Sequence, residues 1–416
     1  MKILLVNKFH YLKGGSEKYY FDLANLLKEN GHEVAFFSMQ DEKNIKTDCK
    51  EYFVENSDMN SKNIFKALDV IYSKKNKKAM EKALDDFKPD IVHLNNFQRQ
   101  LSASIIKPIK KRNIPIVFTA HDLQAICPAI VMLDNEKNIC DKCINGKYMN
   151  CIKGKCVKNS SLKSLLGAIE GKYYRNKKIY TKQIDKIITP SKYFKTMLVK
   201  DGVKADRVEI LHNFIDVDEY SAKIEDEGYA FYYGRLAKEK GIFNLLNAIN
   251  KVKNKKLLIA GEGPDKEKIE KYIIENNLKQ NVKLLGYLKT NQIKEYVRKA
   301  RVIIVPSICR ENCPYSILET LAIGRPIIGS NLGGIPELVV NNECGYIYND
   351  EKTLIEKLEK LLNDEALAKK MGENAKKIAN EKFSKDAYYS KIITLYEQLR
   401  RTKNKKESKI KSFYGK

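Results

Sequence analysis

Short apolar runs recur along the chain, and each ends in a polar or glycine-rich turn. Examples are residues 2–6, 114–119 and 302–305. Runs without polar alternation are typical of strands that are buried on both faces of a parallel sheet. Amphipathic stretches of helical length lie between these runs. The alternation of strands and helices predicts an α/β fold with doubly wound parallel sheets.

The first half of the chain predicts one such sheet. Residues 2–6 form a strand, a loop ends in Gly14 and Gly15, and a helix capped by Ser16 leads to a strand at 32–37. The GxGxxG fingerprint of dinucleotide-binding folds is not present in this loop. The following polar stretch, residues 43–85, has only a helical tendency. Further strands are predicted at 90–94, 114–119 and 187–191, the last of which ends the sheet of the first domain, and the apolar residues 208–211 then lead to the linker.

The second half of the chain repeats the pattern after a polar linker at 217–228. Its apolar runs predict strands, several of which end in glycine turns. These strands are 229–233, 257–260, 282–285, 302–305 and a last one from Ile327. Two sheets joined by a polar linker predict two α/β domains.

Two glutamates lie on either side, in sequence, of the start of a helix that follows the strand at 302–305. The helix is predicted from Pro314 to Ile323, because proline suits a first turn and Gly324 suits the stop. Glu311 stands in the loop at the mouth of the helix, and Glu319 lies inside it, with seven residues between them. A helix N-terminus directed at a ligand binds phosphate through its unpaired N–H groups and its dipole.

A second phosphate-binding signal follows the strand at 229–233, where Arg235 and Lys240 stand close to Gly234 and Gly241. An arginine can hold phosphate oxygens through two parallel hydrogen bonds, whereas a lysine acts as a point charge. Taken alone, this segment equally fits cations that are simply solvated. Together with the carboxylates, it predicts a diphosphate clamp and a ribose-binding carboxylate, which is a nucleotide-sugar site.

These motifs resemble the retaining GT-B glycosyltransferases of family four, the glycosyl transferases group 1 type, over nearly the whole chain. The residues that carry the resemblance are Gly14, Gly15, His121, Gly234, Arg235, Lys240, Glu311 and Glu319. The resemblance implies a GT-B fold with two Rossmann-like doubly wound domains that face a central cleft. The acceptor-side domain would span 1–216 and the donor-binding domain 229–383. Residues 384–416 would form a helix that crosses back to the first domain, followed by a basic tail.

The resemblance also implies roles for individual residues. His121 and Glu311 would be catalytic groups beside the transferred sugar. The nucleobase would lie near Gly286, Tyr287 and Leu288. The donor-binding set would be Gly14, Gly15, Arg235, Lys240, Asn312, Cys313, Pro314, Tyr315, Ser316 and Glu319. Because the family acts without a bound divalent metal and attacks from the same face, no catalytic cofactor and no covalent intermediate on Glu311 are expected.

A cysteine-bearing insertion at 127–156 interrupts the first domain. Cys140, Cys143, Cys151 and Cys156 are compatible with a tetrahedral structural zinc site, although the second pair is widely spaced for such ligands. Unpaired thiols in a loop and disulfides remain alternatives.

Basic residues exceed acidic ones, 77 against 52, and the formal net charge is +25. A diphosphate needs only a few cations, so the excess indicates an anionic membrane surface, nucleic acid or codon bias. A basic helix at 158–183 carries Leu162, Leu165, Leu166 and Ile169 at helical spacing. We expect this stripe to face the core, and contact with anionic lipid is the alternative.

The apolar run at the N-terminus is too short for a signal peptide, and no run approaches the roughly 20 apolar residues of a membrane span. The chain is therefore expected in the cytoplasm. A peripheral position on the inner face of the cell membrane is compatible with this expectation.

The predicted activity is transfer of a sugar from a nucleoside-diphosphate sugar to a sugar or lipid-linked acceptor, in bacterial surface polysaccharide or glycolipid synthesis. One alternative is another GT-B enzyme, either a phosphorylase or a nucleotide-sugar epimerase. The other is a nucleic-acid-binding protein with a cysteine–zinc module, which the scattered positions of the lysines disfavour.

Overall fold

The computed structural model describes residues 1–55, 69–221, 223–253 and 255–414, and for 404–414 it describes the backbone alone. The chain divides into two compact units. The first comprises Met1–Leu211 and the C-terminal segment from Tyr389, and the second is His212–Tyr388. Each unit has its own parallel sheet and its own apolar core. The prediction of two doubly wound α/β sheets is confirmed.

The first unit is built on a seven-stranded sheet in the order β3-β2-β1-β4-β5-β6-β7, in which all paired neighbours are parallel. Its strands are β1 (Lys2–Val6), β2 (Glu33–Met39), β3 (Lys50–Val54), β4 (Ile91–Leu94), β5 (Ile116–Thr119), β6 (Lys186–Thr189) and β7 (Val208–Ile210). Its helices are α1 (Gly15–Glu29), α2 (Lys74–Phe87), α3 (Ile106–Lys111), α4 (Met149–Lys153), α5 (Ser161–Asn176) and α6 (Lys192–Lys200). The strand order reverses between β1 and β4, which is where doubly wound sheets bind ligands.

The second unit contains a six-stranded parallel sheet in the order β10-β9-β8-β11-β12-β13. Its strands are β8 (Tyr229–Tyr233), β9 (Leu257–Ala260), β10 (Val282–Gly286), β11 (Ala300–Val305), β12 (Ile327–Ser330) and β13 (Gly345–Tyr348). Its helices are α7 (Ile242–Lys251), α8 (Lys266–Glu275), α9 (Thr290–Lys299), α10 (Tyr315–Ile323), α11 (Ile335–Leu338), α12 (Glu351–Asn363) and α13 (Glu365–Ile378). Here the order reverses between β8 and β11.

The last helix, α14 (Lys385–Tyr414), starts in the second unit and belongs to the first unit from Tyr389 onward. Within the first unit, the Tyr396 hydroxyl contacts His93 Nδ1 at 2.5 Å, and the Tyr389 hydroxyl contacts His32 Nε2 at 2.8 Å. These contacts attach the C-terminal helix to the sheet of the first unit. Among the described helices, none combines the length and the apolar character that a bilayer crossing requires.

Two local predictions for the first unit are wrong. Ser16 does not cap α1: the capping position is Gly14, and the Ser16 hydroxyl donates to Glu17 Oε1 at 3.0 Å instead. The polar stretch 43–85 contains an edge strand, β3, whose side chains are mostly half-buried and therefore give a weak apolar signal. Part of that stretch, residues 56–68, lies outside the described residues.

The leucine stripe of the basic helix also differs from its prediction. Leu162, Leu165 and Ile169 of α5 are exposed rather than packed on the core. Leu166, beside them in sequence, is half-buried. The helix buries mostly small or polar residues instead.

Candidate functional site

In the second unit, the loops that follow β8 and β11 bring a lysine and a glutamate together. Lys240 Nζ lies 2.5 Å from Glu311 Oε1. The Ser307 hydroxyl donates to the same oxygen at 2.8 Å, and the Cys309 sulfur lies 3.7 Å from it. Because β8 and β11 are the strands at which the order reverses, this Lys240–Glu311 pair lies where ligands bind in open α/β sheets.

Glycine makes the close approach of the two loops possible. Gly241 has a φ of +70°, and a Cβ there would lie 1.8 Å from the carbonyl oxygen of Pro306. The adjacent backbone is fixed by a hydrogen bond from the Ile308 N–H to the Glu239 carbonyl at 3.0 Å. A side chain at Gly241 would therefore force the loops of β8 and β11 apart.

Glu311 is held on its other side by the turn after β12. Gly333 has a φ of +60°, and a Cβ there would lie 2.2 Å from the Glu311 carbonyl oxygen. The Gly334 N–H donates to that oxygen at 2.7 Å. The Gly333-Gly334 pair thus positions the Glu311 backbone as well as leading into α11.

The electrostatics of the pair favour the charged forms. Burial alone would lower the pKa of Lys240, but the charge of Glu311 and their hydrogen bond outweigh it, so this pKa is raised. Burial would raise the pKa of Glu311, but Lys240 and the hydrogen bonds it receives hold this pKa below its usual value. The two groups therefore stay ionised at neutral pH and leave the cluster with no net charge.

Helix α10 begins as predicted, with Pro314 at the capping position in extended conformation and Gly324, at a φ of +88°, ending it. The Tyr233 hydroxyl at the end of β8 donates to the Ser316 carbonyl at 2.8 Å and lies 3.5 Å from Glu319 Oε2. The first turns of α10 are thus attached to the end of β8. This places Glu319, which is half-buried, beside that strand end.

The segment just before α10 is also held from within the second unit. The Asn213 side-chain amide donates to the Cys313 carbonyl at 3.0 Å. Burial raises the pKa of the Cys313 thiol to about 12, so it is an apolar packing group. Asn312 and Ser316 on either side are half-buried.

Arg235 differs from Lys240 and Glu311 in that its side chain is mostly exposed to solvent. Its side chain is 65% exposed, and its guanidinium lies 4.0 Å from Glu239. At the end of β10, Gly286 accepts a hydrogen bond from the Gly261 N–H at 2.7 Å, and the next residue, Tyr287, is 74% exposed. Arg235 and Tyr287 are therefore surface groups with room to contact a ligand.

In the first unit, the predicted histidine follows β5. His121 Nε2 lies 2.9 Å from Asn95 Oδ1, and its ring packs edge-on against Tyr19 with 4.7 Å between ring centroids. Burial lowers the pKa of His121 to about 3. The imidazole is therefore neutral at physiological pH, and its Nε2–H donates to the Asn95 oxygen.

A second neutral histidine supports this strand end. His93 Nε2 contacts the Thr119 hydroxyl at 2.7 Å, and Tyr19 contacts the same hydroxyl at 3.2 Å. Burial lowers the pKa of His93 to about 3, as it does for His121. His93 is fully buried, and both of its ring nitrogens contact hydroxyl groups, so its role is structural. Asn95 and Tyr19 were not predicted, although Asn95 follows directly after β4.

The first loop of this unit is less constrained than the loops of the second unit. Gly14 has a φ of −174°, and a Cβ there would meet only Glu17 Oε2, at 3.8 Å. Glu17 is 3% exposed and accepts a hydrogen bond from the Asn7 side-chain amide at 3.4 Å. The fold of this unit does not itself demand glycine at position 14, so any need for it comes from a ligand. Gly15 is the first residue of α1.

The cysteines of the insertion come together, but not as a metal site. Five of them line one pocket, namely Cys127, Cys140, Cys143, Cys151 and Cys156. All five are free thiols, and burial raises the pKa of Cys143 and Cys151 to about 12. Among the described residues, no group of three or more His, Cys, Asp or Glu side chains is placed to hold a metal ion.

The predicted zinc set Cys140, Cys143, Cys151 and Cys156 is therefore not formed. Cys143 and Cys151 pack instead as small apolar groups in a minor core with Val157 and Ala168.

Two family models match the chain in succession. The model of Glycosyltransferase Family 4 matches residues 13–219, and that of Glycosyl transferases group 1 matches residues 215–378. The two models together account for both units.

Among its relatives, the chain is 31% identical to the uncharacterized glycosyltransferase MJ1178 of Methanocaldococcus jannaschii over 238 residues, which are 56% of this chain and 65% of that protein. It is 28% identical over 204 residues to the capsular polysaccharide biosynthesis glycosyltransferase CapM of Staphylococcus aureus, covering 47% of this chain and 52% of CapM. The chain thus spans less than two thirds of the length of either relative.

A solved structure shares the fold over nearly the whole chain. It is Alr3699/HepE from Anabaena, crystallised in complex with UDP, and it matches with a TM-score of 0.68 at 15% identity. The match covers 96% of this chain and 100% of that one. At this identity, the likeness establishes the fold alone.

Proposed function

The chain belongs to the group 1 glycosyltransferases of the GT-B fold, and we propose that it transfers a sugar from a nucleoside-diphosphate sugar to an acceptor hydroxyl. The observation that carries this proposal is the Lys240–Glu311 pair at the reversal of strand order, next to the start of α10. The solved complex of a structural neighbour with UDP supports the donor class. The capsular polysaccharide role named for the S. aureus relative supports a place in surface polysaccharide or glycolipid synthesis.

Lys240 would hold the donor diphosphate. An ammonium group has three donors, and Glu311 accepts only one of them at 2.5 Å. The remaining N–H groups would bind phosphate oxygens, while Glu311 keeps the lysine charged and oriented. The backbone N–H groups at the start of α10 would add donors and the positive end of the helix dipole. Arg235, being exposed, would close onto the phosphates only when the donor binds.

Glu319 would bind the ribose of the donor. A carboxylate accepts two hydroxyl hydrogens side by side, and ribose presents two neighbouring hydroxyls. The Tyr233 hydroxyl, 3.5 Å from Glu319 Oε2, would restrict the orientation of this carboxylate. The exposed Tyr287 after β10 would lie against the base.

The reaction breaks the bond between the anomeric carbon and the diphosphate oxygen, and it forms a bond from that carbon to the acceptor oxygen. The leaving diphosphate keeps the electron pair, and Lys240 and the α10 N–H groups would stabilise the negative charge that develops. These donors supply positive charge at the diphosphate without a divalent cation. Attack on the face that the diphosphate leaves would retain the anomeric configuration. His121, neutral because it is buried, would act as a hydrogen-bond partner of a sugar hydroxyl rather than as a cation.

A thermal-shift screen against a panel of nucleotide sugars tests the proposal, because a ligand that binds the folded chain stabilises it by an amount that grows with the ratio of its concentration to its Kd. We expect one sugar nucleotide to raise the Tm well above the others and Glu319→Ala to weaken that shift. Product analysis by NMR then gives the anomeric configuration. If no nucleotide sugar stabilises the chain, or if inorganic phosphate releases a sugar phosphate, the transferase proposal fails.

A further inference from the structure

Helix α5 exposes large apolar side chains and buries mostly small or polar ones. Leu162, Leu165 and Ile169 are 75%, 42% and 45% exposed, and their spacing places them on one face of the helix. Most of the residues that the helix buries are small or polar. They are Ser164, Gly167, Ala168, Glu170 and Tyr174. A helix that only needed to pack on its domain would bury the large apolar side chains instead.

Close packing on the opposite face fixes this orientation. A Cβ at Gly167 would lie 3.1 Å from Pro128 Cβ, and a Cβ at Gly171 would lie 2.9 Å from the Tyr148 ring. The cysteine-bearing insertion therefore packs onto the small-residue face, where there is no space for a leucine. Rotating the helix to bury the leucine face would drive larger side chains into these contacts.

The segment of the chain that carries the exposed face is rich in positive charge. Residues 137–178 contain eleven lysines and arginines and only two acidic residues. One of the two, Glu170, is buried beside Arg99 at 3.6 Å. Lys172 is exposed and stands three residues after Ile169, on the same face, and Lys158 is exposed just before the helix.

We infer that the exposed face of α5, formed by Leu162, Leu165, Ile169 and Lys172, docks on the surface of a lipid bilayer that carries anionic headgroups. Large apolar side chains bordered by cations are the features by which interfacial helices bind such membranes. A second copy of the chain is disfavoured as the occupant because the two faces would bring like charges together. The inference goes beyond the proposed sugar transfer and does not depend on it.

Flotation of the full chain with vesicles tests the inference. Two vesicle types are compared, phosphatidylcholine alone and phosphatidylcholine mixed with phosphatidylglycerol. We expect the chain to float with the anionic vesicles and to partition at least about tenfold less onto the neutral ones. The triple substitution Leu162→Ser, Leu165→Ser and Ile169→Ser should reduce binding to anionic vesicles by about tenfold or more. Because these side chains are exposed, the Tm should hardly change.

The matched control is Ile274→Ser on α8 of the second unit, where the isoleucine is 55% exposed. This variant should bind vesicles as the wild type does, and Lys172→Glu should bind less. Equal binding by the triple variant and the wild type would overturn the inference, as would a wild type that floats with neither vesicle. A dimer in sedimentation velocity that the triple variant converts to monomer, without vesicle binding, would assign this face to a second copy instead.

Discussion

The two units present very different chemistry at the ends of their central strands. In the second unit, Lys240 and Glu311 form a charged pair whose ionised forms are mutually stabilised. In the first unit, His93 near the end of β4 and His121 just after β5 are neutral because burial lowers the pKa of each to about 3. One sheet edge is thus suited to binding charge and the other to binding hydroxyl groups. The same architecture thus presents two different surfaces through the polarity of a few side chains.

The loops differ in the same way. Gly241 and Gly333 in the second unit leave no space for a Cβ, whereas Gly14 in the first unit has open surroundings. Fixed backbone keeps the charged groups in place without reorganisation when charge develops on a ligand. The looser first loop leaves its glycines available for contact with a ligand.

The largest expected effect is that of Lys240→Ala on sugar transfer. Removing the ammonium leaves the Glu311 carboxylate without its cationic partner and removes a donor to the diphosphate. We predict a loss of about three orders of magnitude in kcat/KM, equivalent to about 4 kcal/mol. Steady-state assays with the donor found by thermal shift measure it. Lys238→Ala, two residues away on the surface, is the control, and equal losses in both variants would contradict the assignment.

Gly333→Ala tests whether the backbone of the second unit is as constrained as the contacts indicate. The new Cβ would meet the Glu311 carbonyl oxygen at 2.2 Å, at a φ of +60°. We predict a loss of about 3 kcal/mol in the free energy of unfolding, measured by urea titration. Gly14→Ala, in the open first loop, should cost less than about 1 kcal/mol. Similar costs at the two positions would remove the contrast between the loops.

As the pH falls, the protonation of buried histidines in the first unit should reduce the stability of the fold before the Lys240–Glu311 pair loses its contribution. Because the folded pKa of His93 is about 3 against 6.5 for a free histidine, the unfolded chain binds a proton between these values that the folded chain does not. Stability therefore falls as the pH drops below 6.5, by about 1.4 kcal/mol per pH unit for each such histidine. The pKa of Glu311 lies below its usual value, so its contribution is lost only at still lower pH.

The measurement is urea unfolding at pH 7 and pH 5 for the wild type and for His93→Gln. Over this interval the wild type should lose about 2 kcal/mol more than the variant, because glutamine does not titrate. Parallel losses would show that the buried histidine is not the source of the acid sensitivity.

The smallest predicted effect is the change in the free energy of unfolding caused by Glu319→Ala. Its side chain is half-buried, and the Tyr233 hydroxyl also contacts the Ser316 carbonyl. We expect a change in unfolding free energy of about 1 kcal/mol or less, together with weaker donor binding in calorimetry. Unchanged donor affinity would remove the carboxylate from the ribose site.

The sequence predicts most strands because they are buried apolar runs, as at Ile304 and Leu5, and it predicts the end of α10 because Gly324 adopts a positive φ. It fails where tertiary packing decides. The orientation of α5 follows from contacts of Gly167 and Gly171 with the insertion, which hydrophobic periodicity does not register.

In the candidate functional site, too, tertiary packing decides features that the sequence does not predict. Lys240 stands out because it precedes Gly241 after one strand, and Glu311 stands out in the loop after another strand, but their pairing joins positions 71 residues apart and depends on the sheet order. The cysteine spacing is compatible with a metal site, yet Cys143 and Cys151 pack with Val157 and Ala168, because cysteine also serves as a small apolar residue. Spacing alone does not separate these two uses.

The most direct test compares the binding of a nucleoside diphosphate with that of its parent nucleoside, using the base that the thermal-shift screen selects. The difference in binding free energy isolates the diphosphate. In the wild type and in His121→Ala the diphosphate should bind at least about a hundredfold more tightly than the nucleoside, and in Lys240→Ala this ratio should fall by about tenfold or more. A ratio that Lys240→Ala leaves unchanged, or that His121→Ala reduces equally, would contradict the division of charge-binding and hydroxyl-binding roles between the two units.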